Sequence, residues 1–131
     1  MAKYMTAFFA VLILAGSSSF SFAADTYTCT LSRAYSCFPD EGCREQTIEE
    51  MELPYFARID LKGKIINSLD KKITKQTKIT AVERPEGMIV MHGAEHRGWS
   101  MVIGEESGDL SLSVAGDGEA FTVFGKCIAE R

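Results

Sequence analysis

From residue 27 onward the chain alternates between apolar and polar positions. Tyr27, Cys29 and Leu31 are separated by Thr28, Thr30 and Ser32, and Tyr55, Ala57, Ile59 and Leu61 enclose Arg58 and Asp60. Successive side chains of a strand point to opposite faces, so this period of two predicts half-buried antiparallel strands. Ile65 and Leu69 continue the pattern after the turn signal Lys62-Gly63-Lys64, and Ile79 and Ala81 lie among Thr77, Lys78 and Thr80 before a stop at Arg84-Pro85-Glu86-Gly87. Residues 88–92 and 98–103 flank 93–97 as a hairpin, and Leu110, Leu112 and Val114 alternate with Ser111 and Ser113. A turn at 115–118 leads into a last strand over 120–127. One segment reads as helical: Thr47 and Glu50 form a capping box and Pro54 limits continuation, which predicts a single turn over 48–52.

The pattern therefore gives an all-β fold of about eight short strands with one short helical turn. Such a sheet must hide its edges, and closing or rolling on itself does so. Loops from residue 55 onward are too short to cross between two sheets. The expected architecture is a small antiparallel up-and-down barrel or rolled meander.

The first 23 residues break the pattern. Lys3 precedes an apolar run over 7–15, and Ser21-Phe22-Ala23 is a small-x-small cleavage site, so 1–23 reads as a cleaved signal peptide and 24–131 as a single β-barrel-like domain. Gly16 and Ser17 to Ser19 cut the run well short of the roughly 20 apolar residues that a spanning helix needs. The expected product is periplasmic or secreted, with no stable membrane anchor after signal removal.

An oxidising destination makes the four cysteines a disulfide framework with three alternative pairings. Cys37 and Cys43 sit in a turn-rich stretch that can bring them together. Cys29 and Cys127 belong to the core-facing parity of the first and last strands, where a bridge would tie the barrel seam. Structural zinc calls for a Cys-x-x-Cys spacing, which the chain lacks.

Charge narrows the partners. Fourteen basic against 18 acidic side chains give a formal net charge of −4, which argues against nucleic acid. The acidic residues concentrate over 40–52 and the basic ones over 62–78. Within the basic block, Lys71, Lys72, Lys75 and Lys78 are the candidate contacts for an anionic surface, a glycan or another protein.

No residue pattern specifies catalysis or a cofactor. A Gly-x-Ser-x-Gly elbow and a His-Glu-x-x-His run are both absent. His92 and His96, the two histidines, are weak metal candidates beside Met88, Met91 and Glu95, because alternation sends Met91 and His92 to opposite faces. Trp99 lines either the core or a barrel mouth, where it would touch a ligand or partner. Of Phe121 and Phe124, which face opposite ways, Phe124 is the candidate for exposure.

The expected function is that of a non-enzymatic secreted or periplasmic binding protein, an inhibitor-like or interaction module acting through surface loops. The favoured loops are 38–52, long and acidic, and 71–78. The alternatives are a small-molecule carrier using the barrel interior, disfavoured because about eight short strands leave little room beyond their own side chains, and an enzyme with a dispersed site. In layout, a signal peptide followed by a cystine-tied antiparallel barrel, the chain resembles periplasmic inhibitors of c-type lysozyme. The Ser-Gly-x-x-Tyr segment of that family's inhibitory loop does not occur here, so the resemblance carries over no functional residue.

Overall fold

In a computed structural model, Gly16 and residues 24–131 are described; the signal-peptide reading of 1–23 lies outside the described residues apart from Gly16. The alternating segments form β1 (Thr26–Phe38), β2 (Gly42–Gln46), β3 (Phe56–Asp60), β4 (Ile65–Ser68) and β5 (Gln76–Lys78). They continue as β6 (Ala81–Glu83), β7 (Met88–Ala94), β8 (Gly98–Gly104), β9 (Asp109–Gly116) and β10 (Glu119–Glu130). All pairings are antiparallel, in the order β5-β4-β3-β1-β10-β9-β8-β7-β6, with β2 added beside β1.

The two ends of that order are consecutive in sequence, and this rolls the sheet up. Only Ile79 and Thr80 separate β5 from β6. The Ile79 N–H donates to the Lys64 carbonyl on the β4 side (2.9 Å), whereas the Thr80 N–H donates to the His92 carbonyl on β7 (2.8 Å). Residues 76–83 thus act as one bent strand that passes from one sheet edge to the other, leaving only short edges unpaired. The bend shifts the parity. Ile79 and Val82 belong to the core, while Ala81 pairs with His92 on the outer face, in place of the same-face Ile79 and Ala81 expected from alternation.

A second parity break lies in β1. Register shifts between Leu31 and Arg33, so the buried set moves from Tyr27, Cys29 and Leu31 to Ala34 and Ser36. This β-bulge depends on Gly125 in β10, where a Cβ would collide with the Thr30 carbonyl. Before the bulge β1 pairs with β3; after it, β1 pairs with β2. The stretch expected as the long acidic loop 38–52 is therefore mostly a hairpin extension: β1 runs on to Phe38 and β2 begins at Gly42.

Residues 47–53 fill the gap that opens between β2 and β3. The capping box forms reciprocally, Thr47 N–H to Glu50 Oε2 at 2.9 Å and Glu50 N–H to Thr47 Oγ1 at 3.0 Å. Glu52 then takes a left-handed φ of 54°, and the Leu53 N–H closes on the Ile48 carbonyl at 3.1 Å. These are the start and stop signals of a helix with nothing between them, so the segment is one hydrogen-bonded turn and no helix forms among the described residues. Ile48, only 2 % exposed, anchors it to the core.

The core is the inner face of the rolled sheet. Ile79, Ile89, Met91, Ile103 and Val123 are completely buried, with Ile59 and Leu110 nearly so. Cys29 is bonded to Cys127, its register partner across the pairing of first and last strands, and Cys37 to Cys43 across the β1–β2 hairpin. Two disulfides fit an oxidising compartment. No helix among the described residues is long and apolar enough to cross a membrane.

Candidate functional site: an apolar cup in the open half of the barrel

The inner face is not filled along its whole length. A cavity of about 420 Å³ occupies one half of the barrel, within the size range of small-molecule sites. Its walls are the inward positions of β8, β9 and β10, namely Trp99, Met101, Leu110, Leu112, Val114, Phe121 and Val123. Opposite them stand Leu31 of β1, Ala57 and Ile59 of β3 and Ile66 of β4. The fully buried Ile79, Ile89, Met91 and Ile103 close the other half and do not touch the cavity.

Exposed side chains set the mouth. Glu50 and Glu52 from the capping turn, Lys75 at the start of the β5 edge, and Glu95, His96 and Arg97 from the β7–β8 turn all line the cavity and are exposed to solvent. Gln46, Ser68 and Thr77 supply the uncharged polar groups of the lining. Three rim charges are already engaged: Glu50 caps its own turn, Glu95 Oε1 accepts the Lys78 N–H at 3.4 Å, and Arg97 is paired with Glu119 with its guanidinium 5.2 Å above the Phe121 ring. Phe38 braces Phe121 edge-to-face at 6.4 Å. The cavity stands against the expectation that short strands leave little room beyond their own side chains.

Trp99 sits in the mouth layer. Its register partners are Gly93 on β7 and Val114 on β9. The indole lies flat on Gly93, since a Cβ there would collide with the ring. A glycine across from a tryptophan gives the ring space to lie along the wall instead of projecting across the barrel. The indole Nε1 is buried and makes no hydrogen bond among the described residues; Ser36 Oγ, inside β1, is the other such atom.

The remaining candidates are dispersed. His92 faces outward, with Nε2 3.7 Å from Glu83 Oε2, while His96 is on the rim; the two do not converge, and no cluster of three or more metal-ligating side chains occurs among the described residues. Lys71, Lys72, Lys75 and Lys78 are all exposed and form no ion pair among the described residues. Lys75 joins the mouth, and Lys71 and Lys72 flank a shallow outer depression with Tyr55, Phe56 and Leu69. Phe124 is the outward aromatic of β10, 42 % exposed and packed edge-to-face on Tyr35. The lining residues other than Trp99 carry no sequence signal beyond inward parity, which core residues share.

At the end opposite the mouth, charges hold the strands together. Glu130 accepts from Thr28 Oγ1 (2.6 Å) and from both Nε and Nη2 of Arg58, and this holds its carboxyl below the ordinary carboxylate range, the Arg58 bonds contributing most. Asp25 lies near Arg84 and Lys62, while burial raises the Tyr27 phenol above its usual value.

Comparison with protein-family models, characterised proteins and solved structures gives no match. The geometry of the cup is therefore the basis for reading the function.

Proposed function

We propose that this is a non-enzymatic secreted or periplasmic protein that binds a small, mainly apolar molecule inside the open half of its barrel. The observation that carries the reading is the cavity of about 420 Å³ walled by inward-facing apolar side chains and ringed by exposed charged ones. Water in such a space has few polar partners, so an apolar guest gains roughly 0.8 kcal/mol for each methylene it buries, offset by its lost freedom. The oxidised framework and the signal-like N-terminus support delivery outside the cytoplasm.

Titration with N-phenyl-1-naphthylamine, a dye that fluoresces in apolar surroundings, tests the reading. Saturable uptake at one site is expected, and Leu112→Trp, which places bulk in the cup, should abolish it. Absence of uptake by the unmodified protein sinks the proposal.

A second reading, capture of an anionic partner through the basic loop, is favoured by the exposure of Lys71, Lys72, Lys75 and Lys78 without ion-pair partners among the described residues. Replacing all four by alanine separates the two. Interior dye uptake should persist in that variant, whereas a basic-loop partner would be lost, most visibly at low salt.

A further inference from the structure

We infer that the flank of the cup mouth docks on an anionic lipid surface, seating Tyr55, Phe56 and Leu69 at the headgroup boundary with Lys71, Lys72 and Lys75 beside the phosphates. This rests on the basic-loop reading above and names its partner. Six large hydrophobic side chains are exposed among the described residues, and three of them line one shallow depression: Tyr55 at 44 %, Phe56 at 49 % and Leu69 at 50 %. Backbone bonds hold the three together, the Leu69 N–H donating to the Phe56 carbonyl (2.9 Å) and the Tyr55 N–H to Asp70 Oδ2 (2.6 Å). Lys71 and Lys72 line the same depression and Lys75 stands on the adjoining cup rim. None of these lysines is ion-paired among the described residues.

The chemistry fits a bilayer. Tyrosine rings settle at headgroup depth, apolar neighbours enter the acyl boundary, and lysines extend their stems over apolar surface while their ammonium groups meet phosphate. The acids of the depression are Glu49 and Asp70, and Asp70 already serves the Tyr55 N–H, so cations outnumber the free acid; Glu50 and Glu52 line the cup and not the depression. A formal net charge of −4 opposes approach of the whole molecule to an anionic surface, so the docking face is set locally by the basic flank. That flank is continuous with the cup, since Leu53 lines both. Docking there places the mouth at the lipid surface from which an apolar guest would come.

The test is co-sedimentation with phosphatidylcholine vesicles prepared with and without phosphatidylglycerol, at low salt. Binding to the anionic vesicles is expected, falling about fivefold for each of Lys71→Ala, Lys72→Ala and Lys75→Ala. Phe56→Ser and Leu69→Ser should each lower it by about five- to tenfold, because each removes a half-exposed apolar side chain from the contact. Loss with the lysine variants but not with Phe56→Ser or Leu69→Ser overturns the docking face and leaves the basic-loop reading standing. Equal binding to neutral vesicles, or no binding to anionic ones, overturns the inference and leaves the basic loop to a protein or glycan partner. The unmodified protein supplies a second readout in anionic bicelles that contain spin-labelled phosphatidylcholine. Amide resonances of residues 55, 56 and 69–73 should broaden most, and broadening centred elsewhere would refute the docking face even if a variant failed to fold.

Discussion

The two halves of this barrel use the same strands to opposite ends. β7 buries Ile89 and Met91 completely in the filled half and then reaches Gly93, while β8, running back, first presents Trp99 to the cup and then buries Ile103 in the filled half. Where large aliphatic side chains meet from every strand, the interior reaches close packing and no guest can enter. Where a glycine and an aromatic laid along the wall replace them, space remains. The filled half can thus supply rigidity and the open half the vacancy, so stability and binding need not compete for the same residues.

The largest expected effect concerns the two bridges. Cys29–Cys127 spans 98 residues of sequence and Cys37–Cys43 spans 6. The chain-entropy model assigns about 5 kcal/mol to the first and about 2 kcal/mol to the second. Denaturant unfolding of Cys29→Ala/Cys127→Ala and of Cys37→Ala/Cys43→Ala should give that order, and equal losses would show that native strain or residual structure outweighs loop closure. Next in size is the packing contrast. Ile89→Ala in the filled half should cost about 3–4 kcal/mol, because the site is sealed and cannot relax. Leu112→Ala, on the cup wall, should cost about 1–2 kcal/mol because part of that side chain already faces open space. Similar losses at the two sites would mean that the cup collapses in solution.

The smallest expected effect is electrostatic. Glu130 titrates below its ordinary value of 4.5, because Arg58 and Thr28 bond to the ionised form. The folded state thus favours the charged carboxylate, so its contribution is present above pH 4.5 and is lost as pH falls through the depressed folded value. Asp109, held low by Lys126, acts in the same direction. Melting temperature at low salt should decline on acidification through this window, and the decline should be shallower in Glu130→Gln. Both carboxylates are exposed, so high salt should mute the difference.

Much of the wall was legible in advance. Leu110, Leu112 and Val114 announce β9 by strict alternation, and Trp99, Met101 and Ile103 share the inward face of β8 as their parity implies. The reading failed where parity itself changes. The bulge at Ser32–Arg33 and the bend at Thr80 insert residues that no period of two can accommodate, and both arise from partner exchange between distant strands. β2 was missed for a related reason. Gly42-Cys43-Arg44-Glu45-Gln46 has little apolar alternation because all but its last residue are exposed, so its pairing with β1 leaves no hydrophobic trace.

Of the site, Trp99 could be singled out as an aromatic near a hairpin turn, but whether it filled the core or bordered a space could not. Cavity volume is what remains after ten strands, a bulge and a capping turn have been placed around one axis, and a change of one side chain's height alters it without altering the hydrophobic pattern. The sequence by itself determined the strand-forming segments, the inward and outward faces within each unbroken run, and the reciprocal bonds of Thr47 and Glu50, because these depend on residues a few positions apart. Tertiary structure alone decided which strands meet, where β1 and the 76–83 strand change partner, and that one half of the barrel stays open, because those outcomes balance packing among residues far apart in the chain.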